Sequence, residues 1–83
     1  MSVIHIMAIR LAPRNKIAPT VQEILTKYGC IIKVRLGLHD ASMTECSSDG
    51  LILLQLIDKV EDIIRLKDEL NSLEGVSAKT VEI

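Results

Sequence analysis

Aromatic residues are almost absent from this sequence: Tyr28 is the single one, and there is no Trp or Phe. Protein sheets that bind RNA stack its bases on aromatic side chains, and the apolar stretches of this chain offer none. The formal net charge is −1, so charge supplies no general attraction to a phosphate backbone. We therefore expect no direct binding to nucleic acid.

Cysteine is also scarce, since Cys30 and Cys46 are the only two. Two cysteines do not make a disulfide framework, and no charged segment followed by an apolar one marks a secretory leader. The apolar stretch at residues 3–11 is too short to span a bilayer and is interrupted by His5 and Arg10. These features predict a reduced, cytoplasmic protein with no membrane insertion.

Aliphatic residues supply nearly all of the apolar content, because 48% of the 83 residues are hydrophobic. A chain of this length is expected to form one domain, residues 1–83, with a small core. Residues 1–40 carry six Lys and Arg against two acids, and residues 41–83 carry four against nine. This asymmetry indicates charge complementarity within the fold, or subunits that meet basic face to acidic face.

The apolar pattern predicts four strands and two helices. Residues 3–11 and 51–56 are apolar on both alternating faces, which is typical of central strands. Residues 32–39 alternate between apolar and polar, which favours an edge strand with its apolar face buried, and residues 76–83 form a second edge. Helical spacing of apolar residues follows the first and third strands, at Ile17, Val21, Ile24, Leu25 and Tyr28, and at Val60, Ile63, Ile64, Leu66, Leu70 and Leu73.

The predicted order is therefore β-α-β-β-α-β, with a polar loop at residues 41–49 between the middle strands. Right-handed crossovers place the first and third strands at the centre and both helices on one face of the sheet. The predicted fold is α+β: a ferredoxin-like two-layer sandwich with an antiparallel four-stranded sheet.

Such a fold leaves one sheet face without helices, and an exposed apolar face normally marks a partner surface. We expect a homo-oligomer, a dimer or tetramer, that packs sheet against sheet or extends the sheet. His5 and Gln55 are expected to lie near each other on that face and to hydrogen-bond. The predicted interface residues are His5, Met7, Ile9, Leu51, Leu53, Gln55 and Ile57.

The end of the second strand is the candidate ligand site. Arg35 supplies a guanidinium, Gly37 an approachable backbone, and His39 with Asp40 an imidazole beside a carboxylate. Together they suit a small anionic or amino-acid-like effector at a subunit interface. The alternative is structural: Arg35 pairs with an acid of a neighbouring subunit, and Gly37 permits a β-bulge.

Metal binding and catalysis have little support. His39, Asp40, Cys46 and Asp49 fit no closed metal site by their spacing. His39, Asp40 and Ser42 are neighbours in sequence, but a catalytic triad requires a spatial arrangement that adjacency does not provide. No phosphate-binding glycine loop is present. We expect no cofactor, no metal and no enzymatic activity.

Four segments together resemble the iron-only hydrogenase system regulator family: residues 21–29 (VQEILTKYG), 32–40 (IKVRLGLHD), 50–56 (GLILLQL) and 70–76 (LNSLEGV). The resemblance covers nearly the whole chain, and the run RLGLHD is its most specific part. It implies an ACT-like, ferredoxin-like fold, a dimer or higher oligomer, and a regulatory role. The fold is also similar to the regulatory domain of the nickel-responsive repressor, although no segment here remains for a DNA-binding motif.

Three functions remain open. The first is a homo-oligomeric ACT-like regulatory module that senses a small ligand or docks a partner protein. The second is a structural or adaptor subunit that binds no ligand, and the third is a small enzyme. Replacing Arg35 and His39 discriminates the first two, since it should abolish effector binding without dissolving the oligomer only if the first is right.

Overall fold

The computed structural model describes residues 3–12, 14–41 and 46–83. Side chains are described throughout these ranges except at 14–15, 38–41 and 46–48. The elements are β1 (His5–Leu11), α1 (Arg14–Lys27), a 3₁₀ turn (Gly29–Ile31), β2 (Ile32–Ala41), β3 (Cys46–Leu56), α2 (Val60–Asn71) and β4 (Val76–Glu82).

The four strands form one antiparallel sheet in the order β2-β3-β1-β4. β1 and β3 are therefore central, as their two-sided apolar character predicts. The βαββαβ ferredoxin-like fold inferred from the sequence is confirmed.

The core lies between one face of the sheet and the two helices. Its members are buried side chains from β1, β3, β4, both helices and the 3₁₀ turn, including Met7 and Ile9 of β1, Leu25 of α1 and Leu66 of α2, and Ile32 of β2 packs partly buried against them. Each such side chain gains about 1.5–3 kcal/mol from full burial. The helices thus cover one side of the sheet, and none of the helices in residues 3–12, 14–41 and 46–83 lies over the other face.

Each helix has a feature that its apolar spacing alone does not show. Pro19 is the sixth residue of α1, beyond the first turn, so it removes one backbone hydrogen bond that a later start, near Lys16, would have spared. In α2 the buried face is Ile63, Leu66 and Leu70, while Val60 and Ile64 are half exposed. The helix ends at Asn71, and Gly75 lies in the turn that leads into β4.

The hairpin of β2 and β3 is longer than predicted. β2 runs to Ala41 and β3 starts at Cys46, so residues 46–49 are strand and not loop. β1 pairs with β3 only as far as Gly50, opposite Leu11. The hairpin consequently extends past the rest of the sheet, and the chain is elongated, with extents of 45 × 24 × 17 Å.

Asn71, the last residue of α2, closes part of the outer edge of β4. Its Oδ1 accepts a hydrogen bond from the Ala78 amide at 2.7 Å, and its Nδ2 donates to the Ala78 carbonyl at 3.0 Å. Ala78 faces Ile9 across the sheet, but its own N–H and C=O point to the outer edge and take Asn71 as their partner. Blocking an edge in this way hinders pairing with a foreign strand.

We expect Asn71→Ala to lower the free energy of unfolding by about 1–3 kcal/mol, because it leaves two partly buried backbone groups without partners. Urea unfolding followed by circular dichroism measures the change. Ser72→Ala is the matched control: it removes an exposed side-chain hydrogen bond, from Ser72 Oγ to the Glu69 carbonyl, at the neighbouring position, so its loss should be smaller. Equal losses would contradict this role for the side chain.

A polar cluster joins the ends of the two helices. Lys27 Nζ of α1 donates to Glu69 Oε1 of α2 at 2.8 Å and lies 5.5 Å from the centre of the Tyr28 ring. Hydrogen bonds from Lys27 and Tyr28 lower the pKa of Glu69 below its ordinary value of 4.5. Partial burial and the bond to Glu69 raise the pKa of Tyr28.

This cluster makes the stability of the fold depend slightly on pH, and the lowered pKa of Glu69 fixes the direction of that dependence. Because the Glu69 pKa is lowered by folding, its contribution to stability is present above pH 4.5 and is lost as the pH falls through the lowered value. We expect an NMR titration of the Glu69 carboxyl carbon to show a midpoint below 4.5. Lys27→Ala should move that midpoint upward, whereas Lys33→Ala, on a distant strand, should leave it unchanged.

No helix in residues 3–12, 14–41 and 46–83 is long and apolar enough to cross a membrane.

Candidate functional site

The sheet face that carries no helix is the main candidate surface. We call it the open face. In β1, Ile6, Ala8 and Arg10 point to it, because His5, Met7, Ile9 and Leu11 alternate with them and are buried under the helices. Cross-strand pairing then places the rest of the open face: Ile4, Val34, Leu36, Leu51, Leu53, Gln55, Ser77, Lys79, Val81 and Ile83.

Apolar side chains dominate the open face and are well exposed. Nine large apolar side chains of the described residues count as exposed, and six of these lie on this face: Ile4, Val34, Leu36, Leu51, Val81 and Ile83. Their exposures run from 37% for Leu51 to 76% for Ile83. Scattered exposed apolar residues are ordinary, but a set on one face of the sheet is typical of an interaction surface.

The orientation of β2 strengthens this conclusion. The sequence predicts that its apolar face is buried in the protomer, and that prediction is wrong: Val34 and Leu36 are 53% and 50% exposed. They point to the open face, opposite Gln55 and Leu53 of β3. The alternating apolar residues of β2 therefore face the side of the sheet that a second layer would cover.

Three of the predicted interface residues lie on the opposite side of the sheet. Met7 and Ile9 have no exposed surface and His5 has 4%, so they pack beneath the helices and are not available to a partner. Because both faces of β1 are apolar, alternation alone does not tell which face the helices cover. Of the other four, Leu51, Leu53 and Gln55 do lie on the open face, while Ile57 is half buried against the core.

His5 has a structural environment that differs from the predicted one. Gln55 pairs with Ile6 and points to the other face, so His5 and Gln55 do not meet. Instead the His5 ring nitrogen Nε2 lies 2.8 Å from Asp58 Oδ1, and Nδ1 lies 3.7 Å from Glu82 Oε1. The buried imidazole is thus hydrogen-bonded to the exposed Asp58 carboxylate, which ties β1 to the turn before α2, and it lies near a second exposed carboxylate on β4.

One end of the open face is basic. Arg10 Nη2 donates to Asp49 Oδ2 at 2.7 Å, and this hydrogen bond raises the pKa of Arg10. Ser77 lies directly across from Arg10, and Lys79 directly across from Ala8. Arg10, Ser77 and Lys79, with Ala8 and Leu51, line a shallow depression of about 250 Å³ that is open to solvent.

Sequence comparison finds no matching family model and no significantly similar curated protein. Solved structures do match. The uncharacterized protein TM1266 of Thermotoga maritima is 26% identical, with a TM-score of 0.81 over 99% of both chains.

Two further structures carry functional names. CPII, a nitrogen regulatory PII-like protein of Thiomonas intermedia K12 bound to ADP, AMP and bicarbonate, has 11% identity and a TM-score of 0.68 over 99% of this chain and 89% of that one. The ACT domain of the GTP pyrophosphokinase of Chlorobium tepidum has 12% identity and a TM-score of 0.63 over 96% and 85%. This chain has an ACT-like fold. At these identities the two named likenesses show the fold alone.

On this ACT-like scaffold the candidate ligand run of β2 is only partly described. Arg35 and Gly37 are exposed and pair with Leu54 and Ile52, so by alternation they face the helix side of the edge strand. A Cβ at Gly37 would meet no atom within 4 Å, and the ladder irregularities flank residues 33 and 40 rather than Gly37. The bulge explanation for this glycine is therefore wrong, and its role in ligand approach stays a prediction.

The other half of that run lies outside the described side chains. His39 and Asp40 belong to β2 by their backbones, but the structure gives no account of their side chains, nor of Cys46. Among the residues that are described, no group of three or more His, Cys, Asp or Glu side chains is arranged to hold a metal ion. The expectations for His39 and Asp40 remain predictions.

Proposed function

We propose that the chain is a small, non-catalytic regulatory module of ACT-like fold, which works as a homo-oligomer joined through its open face. In this proposal the oligomer changes its interactions when it binds a small effector or a partner protein. The observation that carries the proposal is the open face itself, where Val34, Leu36 and Val81 are each about half exposed in a single chain. Covering them gives a free-energy gain that drives assembly.

The structural comparisons support the regulatory part. The PII-like protein CPII is described as nitrogen regulatory and is bound to ADP, AMP and bicarbonate, and the other named domain belongs to a GTP pyrophosphokinase. Folds host many functions, so this support is an analogy. The basic end of the open face adds a feature of this chain's own, because charged groups beside an apolar interface suit an effector that acts on assembly.

The sequence resemblance to the iron-only hydrogenase system regulators suggests where to look for a target. We propose that the module acts on the expression or the metabolism of such a system through a partner protein.

A structural or adaptor subunit is the second candidate function. The same open face supports it, since apolar burial alone can hold an oligomer together without any ligand. The two functions differ in what the purified oligomer carries or binds.

Native mass spectrometry of the purified protein, repeated under mild denaturation, tests the proposal. We expect a dimer or higher oligomer that carries extra mass, and that mass should be released on denaturation. An oligomer of bare chain mass that gains no effector would favour the adaptor. A monomer at micromolar concentration would contradict both.

A further inference from the structure

The basic end of the open face has an excess of positive charge. Assembly through that face would take this charge out of water, which costs free energy. The basic end carries Arg10 and Lys79, with Asp49 beside Arg10, on a surface whose other described side chains are apolar or neutral. Arg10 already has Asp49 as its partner at 2.7 Å, whereas Lys79 makes no ion pair with any described residue. Taking an unpaired cation out of water is unfavourable unless a counter-charge comes with it.

The described side chains on the open face of a second copy supply little of that counter-charge. Of the side chains described there, Asp49 beside Arg10 is the only acid, and every other member is apolar, neutral or cationic. Glu82, the acid of β4, points to the helix side, where it lies 3.7 Å from His5. An anionic ligand would supply the negative charge that these described side chains lack.

The geometry suits a small oxyanion. Arg10 and Lys79 are diagonal neighbours on adjacent strands, which places their Cβ atoms roughly 7–8 Å apart. Ser77 sits directly across from Arg10 and adds a hydroxyl donor. All three line the same depression of about 250 Å³, which is ample for one carboxylate or phosphate group. Guanidinium, ammonium and hydroxyl donors around one anion make charge-assisted hydrogen bonds.

We propose that the depression between Arg10, Ser77 and Lys79 binds the carboxylate or phosphate group of a small ligand, which neutralises the basic end and favours assembly through the open face. This inference rests on the proposed function and deepens it, because it names the chemical class of the effector and the place where it acts. The ligand partly displaces Arg10 from Asp49 and gives Lys79 its partner.

The test is an NMR titration of the full chain with inorganic phosphate, and in a second arm with acetate, with ionic strength held constant by sodium chloride. We expect saturable shifts of the backbone amides of Arg10, Leu51, Ser77 and Lys79. Lys79→Gln should weaken phosphate binding roughly tenfold or more, since it removes one charge-assisted hydrogen bond. Lys33→Gln is the matched control, because it alters another exposed strand lysine outside the depression, and it should change binding less than about twofold.

Saturation with phosphate but not acetate identifies a phosphate ligand, and the reverse identifies a carboxylate. Shifts that chloride reproduces, or equal losses in Lys79→Gln and Lys33→Gln, would overturn the proposal. A protein that binds phosphate through Lys79 but stays monomeric would uphold this site while the proposed oligomer fails. An oligomer that shows no response to either anion would overturn this site while the proposed oligomer stands.

Discussion

Gly75→Ala is expected to lower the free energy of unfolding by about 2–4 kcal/mol, a large share of the stability of so small a domain. Gly75 is the one described residue with a positive φ, +84°, a conformation that costs any residue with a Cβ. A Cβ there would also overlap the carbonyl oxygen of Ala12. That carbonyl cannot move freely, because the Ala12 amide donates to Gly75 O at 2.8 Å and holds the two segments together.

Thermal unfolding followed by circular dichroism measures the effect, which corresponds to a fall in Tm of roughly 10–25 °C for a domain of this size. Gly37→Ala is the control. Its φ is not positive and its Cβ would meet nothing within 4 Å, so it should change stability by less than about 0.5 kcal/mol. If the two variants lose equal stability, the strain at residue 75 is not the cause.

Leu36→Lys is expected to raise the dissociation constant of the oligomer by roughly 100-fold or more. Leu36 is 50% exposed in one chain, so the substitution leaves the core of the protomer intact. In a symmetric pair the change occurs twice, and each site loses about 1.5 kcal/mol of apolar burial. A loss of about 3 kcal/mol corresponds to the stated factor.

Sedimentation velocity over a dilution series measures this change, and Ile64→Lys provides a closely matched control. Ile64 of α2 is 51% exposed, and it lies on the helix layer rather than on the open face. A lysine there has Glu61 and Asp68 at helical spacing and should be well tolerated. Dissociation by Ile64→Lys but not by Leu36→Lys would move the interface to the helices.

The topology was predictable because the apolar residues follow a strand period in some segments and a helix period in others, and both fall where the fold requires them. The two-sided apolar strands are the central ones, β1 and β3, and the helical spacing fills the segments between the strand pairs. In β1 the prediction failed because apolar alternation alone does not tell which face the helices cover. In β1, His5 and Arg10 lie on opposite faces, so one polar residue marks each side. Arg10 indicates the exposed face of β1 better than His5 does, because a guanidinium is much less often buried than an imidazole.

The site was harder to predict, because it depends on which strands are neighbours. Lys79 and Arg10 are far apart in sequence and meet only through the pairing of β1 with β4. The assumption that the apolar face of β2 points to the protomer's own core was also reasonable for a single chain. It failed because Val34 and Leu36 lie on the side of the sheet that no helix covers.

The most direct test of the account asks whether the open face of the native protein is covered. Methyl NMR of the wild-type protein, with a water-soluble paramagnetic agent added, reports how closely solvent approaches each side chain. Leu36 and Val81 of the open face are 50% and 57% exposed in one chain, and Val60 and Ile64 of α2 are 50% and 51% exposed. The four side chains therefore make a balanced comparison.

We predict that the methyl groups of Leu36 and Val81 are protected from broadening, while those of Val60 and Ile64 are broadened as their exposure requires. Dilution below the dissociation constant should remove the protection. Equal broadening of all four side chains at high protein concentration would contradict the claim that a second copy covers the open face.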